Sequence, residues 1–213
     1  MPGIKAINKR LQYGPHVLLL FLTVFTIFIL LILITFSSPF ITTIYFLRAG
    51  VVNFGAFGYN SPGFRSEDVL GYEYGLQVLN PLTNAMILWG IATAFALFAL
   101  ISIIPLLWVH DSAALHAVAN NTFFTYSSQI LTLIVFLIWP MSILGWSIAQ
   151  RSFNLSDPDV NATLGPAIWM GLAAWILVGV MQAIGWPADV GEGQGDGYYH
   201  YRQTTREVTR PRV

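Results

Sequence analysis

The 213-residue chain contains no cysteine. That excludes disulfides, thiolate metal sites and cysteine nucleophiles, and it leaves the redox compartment unreadable from thiol usage. Charge is nearly as scarce. Asp, Glu, Lys and Arg make up 9% of the chain, against 55% hydrophobic and 15% aromatic residues. Ordinary soluble domains carry about 25% charged residues, so the composition is that of a membrane protein. Four runs, 17–36, 85–109, 123–148 and 164–186, hold no Asp, Glu, Lys, Arg or His at all. Proton relays, ion-coupled transporters and voltage sensors place ionisable groups inside their spans, so this absence argues against transport.

The first run, Val17 to Phe36, is Val, Leu, Ile or Phe at every position except Thr23, Thr26 and Thr35. Helical rise carries such a segment roughly 30 Å, the thickness of a bilayer's hydrocarbon core. A cleaved signal peptide also has a basic start, here Lys5, Lys9 and Arg10, but its apolar region is only about 7 to 15 residues long. The run therefore reads as a transmembrane anchor. The expected fold is an all-α membrane protein, a left-handed antiparallel bundle of four transmembrane helices capped by a small extracellular β-sheet.

The basic N-terminal segment stays cytoplasmic by the positive-inside tendency. Four spans then return the C-terminus to the same side with Arg202, Arg206, Arg210 and Arg212, and only Arg48, Arg65 and Arg151 fall outside. Residues 37–84 form the large outside loop. In it Ile41 to Leu47 and Val51 to Phe57 read as two strands of a hairpin joined at Ala49 and Gly50. Pro105 sits near the inner end of the second span, and the short stretch from His110 to Asn121 makes spans two and three a helical hairpin. The third span contains Trp139 and Pro140 and ends near Trp146, and an aromatic at each edge, Tyr126 included, fits interfacial anchoring. Residues 149–163 form the second outside loop. Pro166 opens the fourth span at a position proline tolerates. The Gly-rich, acidic, then Arg-bearing tail 187–213 is expected to be disordered, a place for partners, lipids or modification.

The most distinctive segment is Phe54, Gly55, Ala56, Phe57, Gly58, Tyr59, Asn60. Glycines alternating with aromatics let a strand bend closely over helix ends while the rings pack there. With Ile44 to Arg48 before it and the four-span layout around it, this segment resembles the first loop of the claudin-like superfamily. In particular it is similar to the PalI-type fungal tetraspans, which include eisosome-associated plasma-membrane proteins and an ambient-pH-signalling component. Claudin-like proteins usually carry a Gly-Leu-Trp-type motif and two cysteines that close the first-loop sheet. Here the motif reads Gly55, Ala56, Phe57, and Asn60 stands near the first expected cysteine. The disulfide that the family would imply is absent.

The resemblance implies a non-enzymatic plasma-membrane protein that organises a membrane domain or serves as accessory partner of a membrane assembly. An ambient-pH-sensing subunit is one alternative, and a channel-forming or lipid-handling protein a second. Expected partners are the lipid bilayer and other membrane proteins, a second copy of the chain included, with no nucleic acid and no cofactor. Three further features stand out. Sequons at Asn154-Leu155-Ser156 and Asn161-Ala162-Thr163 fall in the second outside loop and are glycosylation candidates, whereas Asn120-Asn121-Thr122 is placed inside. His16, His110 and His116 gather near the inner face, where a structural role outweighs metal or haem ligation because no span contains a histidine. Ala167, Gly171, Ala174, Gly179 and Ala183 form a small-residue stripe on span four, suited to close helix packing within the bundle or against a neighbour.

Overall fold

The computed structural model describes residues 15–65, 71–107, 121–156 and 160–184. The expected disordered tail at 187–213, the 110–120 connection and the acidic residues Glu67, Asp68, Asp157 and Asp159 lie outside them. Helix α1 (Pro15–Thr35) is followed by strands β1 (Leu47–Ala49), β2 (Val52–Phe54), β3 (Tyr59–Ser61) and β4 (Phe64–Arg65). A short α2 (Asn80–Ala85) leads into α3 (Ile87–Leu107), and then come α4 (Asn121–Ser156), β5 (Ala162–Leu164) and α5 (Pro166–Ile184). Four stretches, Val17–Thr35, Asn80–Ile104, Phe123–Ser156 and Pro166–Ile184, are long and apolar enough to cross a membrane.

The buried hydrophobic positions of α1 are Val17, Leu20, Val24, Ile27, Leu31 and Ile34. They advance by alternate steps of three and four, the 3.5-residue period of a left-handed supercoil. Helix α3 follows with Trp89, Ala92, Ala96, Ala99 and Ile103, while α4 lines up Leu131, Val135, Ile138, Ser142, Trp146, Ala149 and Phe153 with steps of four more frequent than steps of three. The alanines keep the inward line of α3 narrow, so backbones approach closely where no hydrophobic force between helices would draw them together. Helix α1 packs on α3 and α5, and α4 packs on the same two, which makes a square of consecutive neighbours. Among the described residues, side-chain hydrogen bonds join three of its four edges. Thr35 and Thr93 hydroxyls meet at 2.9 Å, Trp89 Nε1 donates to Ser142 Oγ at 3.2 Å, and Trp139 Nε1 donates to the Ile168 carbonyl at 3.3 Å.

The outer surface of the bundle is also apolar. Leu22 and Phe25 on α1, Ile101 on α3, Leu137 and Leu144 on α4, and Ile176 and Val180 on α5 are all exposed. A helix apolar all round is a buried helix, and with the inward faces already packed on protein the outward ones match lipid. Among the described residues no charged side chain is buried.

The five strands form one antiparallel sheet in the order β4-β3-β2-β1-β5. Several element limits differ from the sequence expectation. The hairpin exists, but its strands are Leu47–Ala49 and Val52–Phe54, joined through Gly50 and Val51 with Gly50 at φ 59°. Glycine at the first loop position suits a two-residue hairpin turn. Residues from Ile41 to Tyr45 are not strand. They belong to a compact turn that satisfies its own backbone, with Ser38 N–H donating to the Ile44 carbonyl at 2.7 Å and Ile41 N–H to that of Phe36 at 3.1 Å. The expected third span, 123–148, is the core of a longer helix that runs to Ser156, so half of the second loop is helical. The rest of that loop supplies β5, and the sheet is therefore built from both loops. The second run is interrupted at Met86 between α2 and α3, and the fourth helix starts at Pro166 rather than Leu164, which belongs to β5. Trp146 is fully buried, a core residue rather than an interfacial anchor, whereas Tyr126 is exposed.

Candidate functional site

The sheet end of the bundle brings together the Phe54–Tyr59 motif, the turn after α1 and the far end of α4. Strand register sorts its residues into two faces. Thr163, Arg48, Asn53, Asn60 and Arg65 follow one another as partners across all five strands, and Leu164, Leu47, Phe54 and Tyr59 form the adjacent row. Side chains alternate along a strand, so Thr163, Arg48, Asn53 and Asn60 make a polar face and the second row turns into the core. Leu47 and Phe54 are fully buried, while Arg48 and Thr163 are exposed.

The glycine of the motif is required by contact. A Cβ built on Gly55 would lie 1.6 Å from the Ser38 carbonyl oxygen, so β2 passes the turn after α1 at backbone distance. Three hydrogen bonds hold that crossing. Ser38 Oγ donates to the Asn53 carbonyl at 3.0 Å, Ala56 N–H to Ser37 Oγ at 2.9 Å, and the Tyr72 hydroxyl to the Gly55 carbonyl at 2.8 Å. Thr83 Oγ1 in turn donates to the Tyr72 carbonyl at 2.8 Å, which ties α2 into the same network. Gly55 N–H donates to the Gly58 carbonyl at 2.8 Å and closes the tight turn between β2 and β3. Burial pushes the Tyr72 hydroxyl well above its ordinary pKa, and the bond to Gly55 opposes this in part.

Beneath the sheet lies a cluster of rings. Phe54 meets Tyr74 at 5.1 Å, Phe153 at 5.5 Å, Tyr59 at 6.0 Å and Trp146 at 6.3 Å between centroids. Phe46 stacks on Trp146 at 5.7 Å and reaches Trp89 at 6.5 Å. These separations are those of favourable aromatic pairs. They join β2, the turn before β1, α3 and α4 without a covalent bond. Phe57, half-buried, sits over Gly90, whose added Cβ would be 3.7 Å from its ring.

The outward extension of α4 is the post against which the sheet stands. Gln150 and Asn154, one helical turn apart, face the free edge of β5. Gln150 Nε2 donates to the Ala162 carbonyl at 2.9 Å, and Asn154 Oδ1 accepts from the Ala162 N–H at 2.8 Å. One donor and one acceptor thus replace the neighbour strand that this edge lacks, which is the general remedy for an open sheet edge. At the next step Gly165 N–H donates to the Phe46 carbonyl at 2.8 Å and Ala167 N–H to that of Tyr45 at 3.1 Å, satisfying an orphan donor at the start of α5. An added Cβ on Gly165 would lie 2.1 Å from the Tyr45 carbonyl oxygen, so this junction too needs glycine.

Of the residues singled out in the sequence, Phe54, Gly55, Phe57, Gly58 and Tyr59 are brought together in this cap. Asn154 is part of its clamp, and Asn161 is exposed immediately before β5. The span-four stripe divides. Ala167, Gly171 and Ala174 are on the buried line of α5 with Val178 and Met181. Gly171 is enclosed, its added Cβ 3.0 Å from Trp139 and 3.1 Å from Trp89, but Gly179 has nothing within 4 Å and Ala183 is exposed. Gly179 follows Val178 by one residue, about 100° around the helix, and so leaves the packed face. Ser37, Ser38, Tyr72, Gln150 and Trp146 were not singled out for the roles they play; no local pattern marks them, because each acts on a residue far away in the chain. His110 and His116 lie outside the described residues. Among the described residues no three His, Asp or Glu side chains are grouped as a metal site. No protein-family model and no curated protein matches this chain.

Proposed function

We propose that the chain is a plasma-membrane tetraspan that acts without catalysis, organising a membrane domain or serving as the fixed partner of a larger membrane assembly, as its resemblance to claudin-like, PalI-type fungal tetraspans implies. In this reading both termini are cytoplasmic and the sheet faces outside. The observation that carries it is the aromatic-glycine segment from Phe54 to Tyr59, which locks the first loop onto the end of α1 and the ring cluster on α4. A polar sheet face held at a constant height above an apolar four-helix waist is suited to recognition, because little ordering entropy is lost when a partner meets it. Purification of the full chain in mild detergent followed by mass spectrometry tests the reading. Stoichiometric membrane partners, or a defined homo-oligomer, are expected; a chain recovered only as a monomer under every mild condition overturns it.

A further inference from the structure

The two outside sequons are not equivalent in the folded chain. Asn154-Leu155-Ser156 forms the last turn of α4, where Asn154 Oδ1 is committed to the Ala162 N–H at 2.8 Å and Ser156 Oγ donates back to the Ser152 carbonyl at 2.7 Å. The Asn154 and Ser156 side chains are exposed, but the amide is aimed by its oxygen at the sheet edge and the hydroxyl is turned back on its own helix. Residues two apart on a helix lie about 200° around its axis, so the two groups diverge. Asn161-Ala162-Thr163 is extended chain entering β5, and Asn161 and Thr163 are both exposed. Residues two apart on an extended chain project to the same side, so this amide and this hydroxyl can reach one another. The intervening Ala162 is buried and pinned by Gln150 and Asn154, which keeps the sequon presented away from the bundle.

We infer that Asn161 is an N-glycan attachment site and that Asn154 is a structural residue that carries none. The inference rests on the outside placement of the sheet proposed above. The donor is an oligosaccharide carried on a polyprenyl diphosphate. The Asn161 Nδ2 forms a bond to the anomeric carbon, the carbon–oxygen bond to the diphosphate breaks, the polyprenyl diphosphate departs with the electron pair, and the amide gives up one proton.

The test is expression of the full chain in a eukaryotic cell that performs N-glycosylation, with gel mobility read before and after peptide N-glycosidase and the attachment site mapped by mass spectrometry. One digestible glycan is expected in the unaltered chain, retained in Asn154→Gln and lost in both Asn161→Gln and Thr163→Ala, of which the last leaves Asn161 itself in place. A glycan that persists in Asn161→Gln, or that is lost in Asn154→Gln, overturns the inference. An unmodified chain whose terminal tags are protected from outside protease overturns it alone and leaves the topology standing. A glycan mapped to Asn120, in the sequon expected inside, overturns the topology and the inference together.

Discussion

The bundle and its cap hold together by different means. In the bundle the inward line of each helix is a repeat of three- and four-residue steps through mostly aliphatic and small residues, and exchanging one aliphatic for another of similar size changes little. In the cap the strands are two or three residues long, too short to be stable as a sheet in their own right. They persist because particular atoms at Ser37, Ser38, Gly55, Tyr72, Gln150 and Asn154 meet, and because Phe46 and Phe54 are wedged among rings from α3 and α4. A repeated pattern tolerates substitution, whereas a network of single contacts does not. Damage to the cap should therefore be steep and local, and damage to the bundle shallow.

The largest expected effect is Gly55→Ala. One methyl group cannot be placed 1.6 Å from the Ser38 carbonyl oxygen, and the obstacle is backbone, so either β2 or the turn after α1 must move. The loss should exceed the roughly 1 to 3 kcal/mol of ordinary overpacking. Hydrogen exchange across residues 47–61 should become fast while the amides of α1 and α3 remain protected. Equal loosening of cap and helices would show that the two regions are one cooperative unit and end the comparison.

Next comes Phe54→Ala, expected to cost about 3 to 5 kcal/mol because the ring is fully buried among four aromatic neighbours. Phe57→Ala, at a half-buried position, should cost clearly less. Thermal unfolding in detergent followed by near-ultraviolet circular dichroism measures both, since Trp146 reports on the cluster directly. A larger loss for Phe57 would contradict the placement of these two rings.

These residues also show what the sequence made legible. The four apolar runs were plain because lipid selects by composition, and a charge-free stretch of bilayer length has few other uses. The hairpin near Gly50 was legible from its strand-forming neighbours, although its limits were shifted toward Ile41, since β-branched residues read as strand while the chain after Phe36 closes into a turn on its own hydrogen bonds. The end of α4 was not legible. Hydropathy falls after Ile148, and nothing in Gln150 to Ser156 announces that a helix continues in order to meet a strand formed several residues later. Asn154 drew notice only as a sequon, while its contact with Ala162 is a property of the folded chain.

A smaller effect, and a pH-dependent one, belongs to Tyr72. Its hydroxyl is buried in the cap, so its folded pKa lies well above the ordinary 10.0. A raised folded value means that the unfolded chain releases the proton first. The contribution of Tyr72 is thus intact below a pH of about 10 and is lost as pH rises from there through the folded value. Exchange in the cap should accelerate in that alkaline window, together with the absorbance change of tyrosinate. Tyr72→Phe should remove the alkaline step and cost about 1 to 2 kcal/mol at neutral pH by leaving the Gly55 carbonyl without its donor. An alkaline transition unchanged in Tyr72→Phe would assign it to another group.

The smallest effect is expected at Gly179, and it tests the bundle side of the comparison. Gly171 and Gly179 look alike in the sequence, each four residues from an alanine, but the inward repeat of α5 passes through Gly171, Ala174, Val178 and Met181 and misses Gly179. Leucine at Gly171 must displace both Trp139 and Trp89, and the latter is held by Ser142, so a cost of about 1 to 3 kcal/mol is expected. Leucine at Gly179 enters open space on the outer side of the helix and should change stability by no more than about 0.5 kcal/mol. Thermal midpoints of the two variants in the same detergent measure the difference. If Gly179→Leu lowers the midpoint as much as Gly171→Leu, the 3.5-residue repeat is not what seats α5 in the bundle. If Gly179→Leu leaves the midpoint alone but removes a copurifying neighbour, the outer half of the stripe is a contact surface, and α5 serves the bundle with one face and an assembly with the other.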